Sequence, residues 1–396
     1  MSGQHLATPE DIARAAAAAR TARRVGIDTE FMSEGRYRPL LCLAQISVDG
    51  PDHQGQPDVV LIDTLDPTLD VSEIAALLAD PEVEVVLHAG RQDIAILRRA
   101  WKTDIHNVFD TQIAAGFAGS SAQTGYGNLI EAMLGRRLGK TASFTRWDAR
   151  PLSSEQLRYA AEDVVHLLEL ADEIKRRLRE TGRLEWAVEE CRRLEAATEE
   201  RDPETVWERL PRSGQLDPRS RAVARALGAW RERTAAREDR PVGSVLADQV
   251  LVEVARRRPA SRAELARLRG VHGSLLKRRG DDLLAAVSRG LQDPPIPRER
   301  GQPRSEPADV PVIALVESWL RARALEVGLA YELIASRAEL EALVGARRRS
   351  EGEPSVRPLT GWREELVGGD LRELLAGQGA IAVGEELRLK LIDAGR

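Results

Sequence analysis

"RRVGIDTEF", residues 23–31, reads as a buried strand that turns two carboxylates to one side. Side chains alternate along a strand, so Asp28 and Glu30 point the same way. Desolvated together they repel each other, and a positive group is needed beside them. A solvated surface strand could carry the same Asp-x-Glu tripeptide, so the decision falls to the rest of the chain.

Working outward, "PLLCLAQISVD" (39–49) and "DVVLIDTL" (58–65) read as two further strands bounded by Gly, Pro and Asp clusters. "ATPEDIARAAAAARTA" (7–22) opens as a helix, with Thr8 as cap and Pro9 in the first turn. "SEIAALLAD" (72–80) has helical spacing, "VEVVLHAG" (83–90) is a buried strand, and "RQDIAILRRAW" (91–101) returns to helix. This alternation predicts an α/β domain with a sheet. After "NVFDT" come short helical segments, the second ending at Gly135. "LSSEQLRYAAEDVVHLLELADEIKRRLRE" (152–180) then predicts one long amphipathic helix capped by Ser153 or Ser154.

From residue 184 onward the pattern is helical throughout, and no strand is expected there. "RDPETVWERLPRSGQLDP" (201–218) has the composition of a linker, and Asp217 with Pro218 begins a new helical module that runs to Leu291. "QDPPIPRERGQPRSEPADVP" (292–311) is a proline-rich linker. A second helical unit follows from 312 to about 390. The expected domains are 1–205, 214–293 and 308–392.

Composition narrows the function. With 396 residues, 42% hydrophobic and 31% charged, the chain has material for several cores and is not disordered by composition. No run approaches the roughly 20 apolar residues that cross a bilayer. The two cysteines, Cys42 and Cys191, are far apart and form no C-x-x-C pair, which argues against a disulfide framework or a thiolate zinc site. The N-terminus lacks the apolar core of a secretory signal, and a cytoplasmic address is expected. Residues 1–200 sum to −10, whereas 221–290 sum to +8, so an acidic half is joined to a basic helical module. That asymmetry suits an enzyme that gathers cations in its site and polyanions on an accessory surface.

Four acids and one phenol are the chemistry-bearing residues. Asp28 and Glu30 share a strand face, and Asp93 lies in the first turn of a helix directly after a strand. Tyr159 and Asp163, four apart in "YAAED", lie on one helix face. If these converge, an all-oxygen cluster suits Mg²⁺ or Mn²⁺ rather than zinc. Two such ions about 4 Å apart can clamp the attacking and leaving oxygens of an in-line displacement at phosphorus. Phe31 and Gln45 flank the first acids and could support a terminal nucleotide or the ligand strand, or pack in the core. His88 could contact phosphate or cap a helix, and Trp147 and Arg150 could touch a nucleic-acid backbone or brace the long helix. His106 and His166 are expected to be structural.

"DTEF" (28–31), "HAGRQD" (88–93) and "YAAED" (159–163), in that order, resemble the three motifs of the DEDD exonucleases, in the subgroup with tyrosine in the third motif. "TRWDARPLSSEQLRYAAEDV" (145–164) is similar to the W-x-x-R-P-L segment and third motif of the ribonuclease D family. "LADQVLVEVARRRPASRAELARLRGV" (246–271) resembles an HRDC domain, and "LTGWREELVGGDLRELLAG" (359–377) a second, weaker one. The resemblance implies a ribonuclease H-like α/β exonuclease domain with a mixed sheet, followed by two all-α HRDC-type domains. It implies that Asp28, Glu30, Asp93 and Asp163 hold two divalent ions and that Tyr159 orients or deprotonates the attacking water. The implied reaction is 3′–5′ removal of nucleotides from RNA as 5′-monophosphates, with transfer RNA precursors as substrate class. A chain ended near Leu210 is expected still to cut short oligomers while losing affinity for structured RNA. No membrane and no obligatory protein partner are implied. A DNA exonuclease shares the same acids, and a non-catalytic RNA-binding protein would be expected to lack at least one of them. No Walker-type phosphate loop accompanies the HRDC resemblance, which argues against a helicase.

Overall fold

Val25 and Ile27 are fully buried on β1 (Arg24–Met32), the strand that the first stretch predicts. It is the centre of a five-stranded mixed sheet with β2 (Leu40–Val48), β3 (Asp58–Asp63), β4 (Glu84–Leu87) and β5 (Val108–Asp110), in the order β3-β2-β1-β4-β5. β2 and β3 are antiparallel, whereas β1, β4 and β5 are parallel. This is the mixed α/β sheet expected. The computed structural model describes residues 5–49, 57–121, 123–139, 146–297 and 306–395. The middle of the proline-rich linker, 298–305, lies outside the described residues.

The helices of this part are α1 (Pro9–Ala22), α2 (Ser72–Leu78), α3 (Arg91–Trp101), α4 (Thr111–Phe117), α5 (Tyr126–Leu129), α6 (Ser154–Val165), α7 (Leu167–Glu180) and α8 (Leu184–Arg192). Capping boxes start two of them: Thr8 with Asp11 before α1, and Ser153 with Gln156 before α6. The single helix expected over 152–180 is broken at His166, whose φ of −109° and ψ of 4° leave the helical region. No Gly or Pro marks the break. It separates a segment that carries Tyr159 and Asp163 from one that buries Leu167, Leu170, Ile174 and Leu178.

Two compact units emerge. The first comprises Met1–Glu30, Cys42–Ala197 and Gln302–Arg396. A hydrophobic core within it contains Phe117, Leu129 and Ile174 together with Ile313, Trp319, Ile334, Leu340, Trp362 and Leu371. Trp362 stacks on Trp186 (5.3 Å, 19°) and meets Phe117 edge-on (5.0 Å). Beside it, fully buried Arg363 pairs with Glu190 at 2.7 Å and donates to the Leu333 carbonyl. A chain ended near Leu210 would strip half of this core, which argues against the expectation that it still cuts short oligomers. The C-terminal part is also not all-α. Strands β6 (Gly379–Val383) and β7 (Leu389–Asp393) form an antiparallel hairpin within it.

The second unit comprises Phe31–Leu41 and Thr198–Gly301. Its core is built on α9 (Pro218–Glu238), capped by Asp217, with the helices Asp248–Arg257 and Gly273–Gln292. Gly290 permits the close approach of the last helix: a Cβ there would lie 2.5 Å from Val223 Cα. The expected linker 201–218 is corrected here. Trp207, Leu210 and Leu216 are buried in this core, anchored through short 3₁₀ turns. Its Pro and Gly serve the turns rather than flexibility.

Candidate active site

Asp28 and Glu30, both partly buried, lie on the β1 face away from Val25 and Ile27. Asp93 enters from the first turn of α3, where Thr29 Oγ1, on the other face of β1, donates to its carboxylate. Tyr159 and Asp163 project from α6, and the Tyr159 hydroxyl donates to Asp163. The structure thus brings these five residues into one electrostatic neighbourhood.

Their acidities report it. Burial, reinforced by the charges of Asp93, Asp163 and Glu30, holds the Asp28 carboxyl well above the usual range. Burial and the charges of Asp163 and Asp93 push Glu30 up to about 8. Burial raises Asp163 to about 7, against the pull of the Tyr159 hydrogen bond. Burial also raises Asp93, opposed by Thr29. Tyr159 is raised by burial and then by Asp163, Glu30 and Asp28. Among the described residues no three His, Cys, Asp or Glu side chains stand as a ready metal-ligand group. The four acids are electrostatic neighbours, not a closed coordination shell. As a donor set they fit a hard divalent cation, because all are carboxylate oxygens and each is destabilised by its neighbours' charge.

The remaining candidates separate. Trp147 is buried, its ring 6.0 Å from that of Tyr159, so it backs the phenol. Arg150 is spent inside the protein: Nε and Nη2 bind Asp63 (2.6 and 2.5 Å), Nη1 the carbonyls of Trp147 and Ala149, and Nη2 that of Cys42. All five N–H groups of a guanidinium are then used. Of the two roles open to it, contact with a nucleic acid or bracing of the helix, the geometry gives the brace. Gln45 is fully buried, with neither amide atom hydrogen-bonded, and cannot touch a substrate from the surface. His88 bonds Thr111 Oγ1 through Nδ1 (3.0 Å), and burial lowers its pKa to about 4, so it is neutral near pH 7 and brings no charge to a phosphate. Phe31 is half-buried and alternates to the face of Thr29, away from the two acids. His106 lies near Glu195, and His166, one helical turn after Asp163, faces Arg136 and Glu169.

Three residues escaped the sequence reading. Thr29 holds Asp93. Asp110 caps α4 through the N–H groups of Gln112 and Ile113, and also accepts from Ala89 (3.2 Å) and Gly90 (2.8 Å), tying down the turn that presents Asp93. The strand-to-helix "FDT" could have signalled that cap. Tyr126 has a buried hydroxyl whose acidity is weakened by burial and by the charges of Asp163 and Asp28, against the pull of the His166 backbone. No sequence spacing points to it.

Comparison with known proteins places this arrangement. A 3′–5′ exonuclease family model matches residues 4–179, and an HRDC domain model matches residues 220–287. Ribonuclease D of Granulibacter bethesdensis is 39% identical over 395 residues, covering 98% of this chain and 95% of the relative. Ribonuclease D of Gluconacetobacter diazotrophicus is 38% identical, covering 98% and 96%. The crystal structure of Escherichia coli RNase D, described as an exoribonuclease involved in structured RNA processing, superposes with a TM-score of 0.81 at 31% identity, covering 95% of this chain and 99% of that one. With its exonuclease sheet, its clustered acids and its basic helical module, the chain belongs to the ribonuclease D family.

Proposed function

We propose that Asp28, Glu30, Asp93 and Asp163 hold two divalent ions, Mg²⁺ or Mn²⁺, in the active site of this 3′–5′ exoribonuclease. One observation carries the reading. Other acids buried in the first unit have basic partners or a full set of backbone donors: Asp63 has Arg150, Asp309 has Arg348, and Asp110 has four N–H groups. The four clustered acids are, among the described residues, paired with no Arg, Lys or His. Their counter-charge has to come from outside the chain.

Bound there, the ions would supply Lewis-acid stabilisation of charge on the attacking and leaving oxygens of the scissile phosphodiester. The chain's own residues do the positioning. Thr29 and Asp110 fix Asp93, Trp147 backs Tyr159, and the Tyr159 hydroxyl is set beside Asp163 to orient the attacking water. The products are 5′-monophosphates released one at a time from the RNA 3′ end. Transfer RNA precursors, or other structured RNA with a 3′ tail, are the proposed substrates, and the basic module binds their backbone. The sequence modules proposed are 1–205, 214–293 and 308–392, the last a diverged HRDC-like segment that carries the β6–β7 hairpin and shares a core with the first rather than folding by itself.

The test offers matched RNA and DNA oligomers, each with a 3′ overhang, to the wild type and to Asp28→Ala in Mg²⁺, Mn²⁺ and chelator. The wild type should shorten RNA from its 3′ end with either ion and not with chelator. Asp28→Ala should bind RNA without cutting it, and turnover within a few-fold of wild type would sink the ligand assignment. Equal shortening of DNA would favour a DNA exonuclease. Absence of cutting with every ion would favour a non-catalytic RNA-binding protein.

A further inference from the structure

Gln45 is the most anomalous side chain near the acids. It is fully buried, on the central part of β2, and neither its amide N–H₂ nor its carbonyl oxygen has a partner. An unpaired buried amide is costly, and nearly all buried polar groups avoid that state. Packing alone would be served better by Leu or Met.

The register says what Gln45 faces. β1 and β2 are adjacent and joined by only seven residues, 33–39, too few for a parallel crossover, so they run antiparallel. A Cβ built on Gly26 would lie 2.3 Å from Ser47 Oγ, a separation possible only for residues directly opposite each other on one face. Two residues further along, Asp28 stands opposite Gln45. Leu167 and Leu168 of α7 cover the same position at Gly26, so this is the face that carries Asp28 and Glu30. Ser47 is equally buried and its hydroxyl is equally unpaired, but it faces a glycine.

We infer that Gln45 is a positioning residue for Asp28: its amide, unpaired in this structure, turns to donate an N–H to the Asp28 carboxylate once a cation holds that carboxylate ionised, and so fixes the oxygen that faces the cation. A neutral donor suits this task. It stabilises the carboxylate without adding positive charge that would compete with the metal, as Arg or Lys would. The inference rests on the metal reading proposed above, and deepens it by reassigning Gln45 from substrate contact to support of a ligand.

The test measures Mn²⁺ uptake by calorimetry, and thermal unfolding in chelator, on the full chain. Gln45→Met keeps the volume and removes the amide. It should melt at or above the wild-type temperature in chelator, yet bind Mn²⁺ about 10- to 100-fold more weakly, the usual loss when the hydrogen-bonding partner of a metal ligand is removed. Ser47→Ala, from the same strand face, should leave Mn²⁺ affinity unchanged. Gln45→Asn, whose amide is one methylene short, should fall between wild type and Gln45→Met, and it decides the matter should Gln45→Met fail to fold. Wild-type affinity in Gln45→Met or Gln45→Asn, or an equal loss in Ser47→Ala, overturns the inference alone. A wild-type chain that takes up no Mn²⁺ overturns the metal reading and this inference with it.

Discussion

Trp362→Ala should unfold the nuclease, although Trp362 lies some two hundred residues after the last candidate ligand in the chain. Its side chain is 2% exposed, stacked on Trp186 and edge-on to Phe117, both within the 1–205 segment. Truncating a buried aromatic to Ala costs about 3–5 kcal/mol. Each ring pair adds about 0.5–1.5 kcal/mol beyond burial, so the upper half of that range is expected. At about 2–4 °C per kcal/mol for a unit of this size, the melting temperature should fall by roughly 8–20 °C. The assay follows two signals on one heating series: helical circular dichroism, and residual cleavage of an RNA oligomer after each step. Both should move together, because one core serves both parts. Phe117→Leu, from the other side of the contact, should couple to Trp362→Ala by about 0.5–3 kcal/mol in a double-mutant cycle. Cleavage that survives to the wild-type temperature while part of the helical signal melts early would refute the shared core.

Tyr159→Phe should keep Mn²⁺ uptake and lower the cleavage rate by roughly 10²- to 10⁴-fold, the span for losing a positioned acid-base group; an unchanged rate makes Tyr159 a packing residue. In chelator, the protein should melt higher at pH 5 than at pH 8. Glu30 and Asp163 titrate near 4.5 and 3.8 unfolded but near 8 and 7 folded, so the native state holds more protons in that window and loses stability as pH rises. Asp163→Asn should flatten that slope, and an undiminished slope would contradict the cluster's mutual repulsion. Arg150→Ala should cost about 3 kcal/mol, the low end for stranding one partner of a buried pair since the guanidinium keeps 26% of its surface exposed. It should not change the salt dependence of RNA binding, as loss of a phosphate contact would. Replacing exposed Arg267, Arg269, Lys277 and Arg278 with Ala should flatten log K against log salt by roughly 2–3 for single-stranded RNA, at about 0.7 per phosphate contact. Parallel salt series would exclude backbone binding by that face.

The acid cluster with its tyrosine was legible because it is written in local terms. Asp28 and Glu30 are set by strand alternation, Asp93 by a strand-to-helix turn, and Tyr159 and Asp163 by helix spacing. Each rule fixes a direction before any tertiary contact exists. What stayed hidden depends on partners distant in sequence. Trp186 and Trp362 look like ordinary apolar helix positions, and nothing local says that they stack on each other. Pro203, Pro211 and Gly214 suggested a linker, but Trp207, Leu210 and Leu216 between them were the better guide: an apolar residue every few positions needs a core. The β6–β7 hairpin was missed because its strands are short and half-exposed, so their alternation was weak against the helical sequence around them. Gln45 was noticed, but only burial and register separate a surface contact from a support.

The opening tripeptide is best understood through what the chain withholds from it. Elsewhere this protein pairs acids freely: Glu84 has Lys175, Glu190 has Arg363, and Glu339 has Arg357. Among the described residues, the side-chain donors to the acid cluster are neutral, Thr29 on Asp93 and Tyr159 on Asp163. An Arg placed there would have stabilised the fold and neutralised the site permanently. Neutral donors hold the carboxylates in place while leaving their charge uncompensated, so folding carries an electrostatic cost that binding can recover. Under the metal reading proposed above, four carboxylates would balance two divalent ions in formal charge, and an RNA phosphate would then approach without meeting net repulsion. On that reading, cation uptake would precede productive approach of the polyanion.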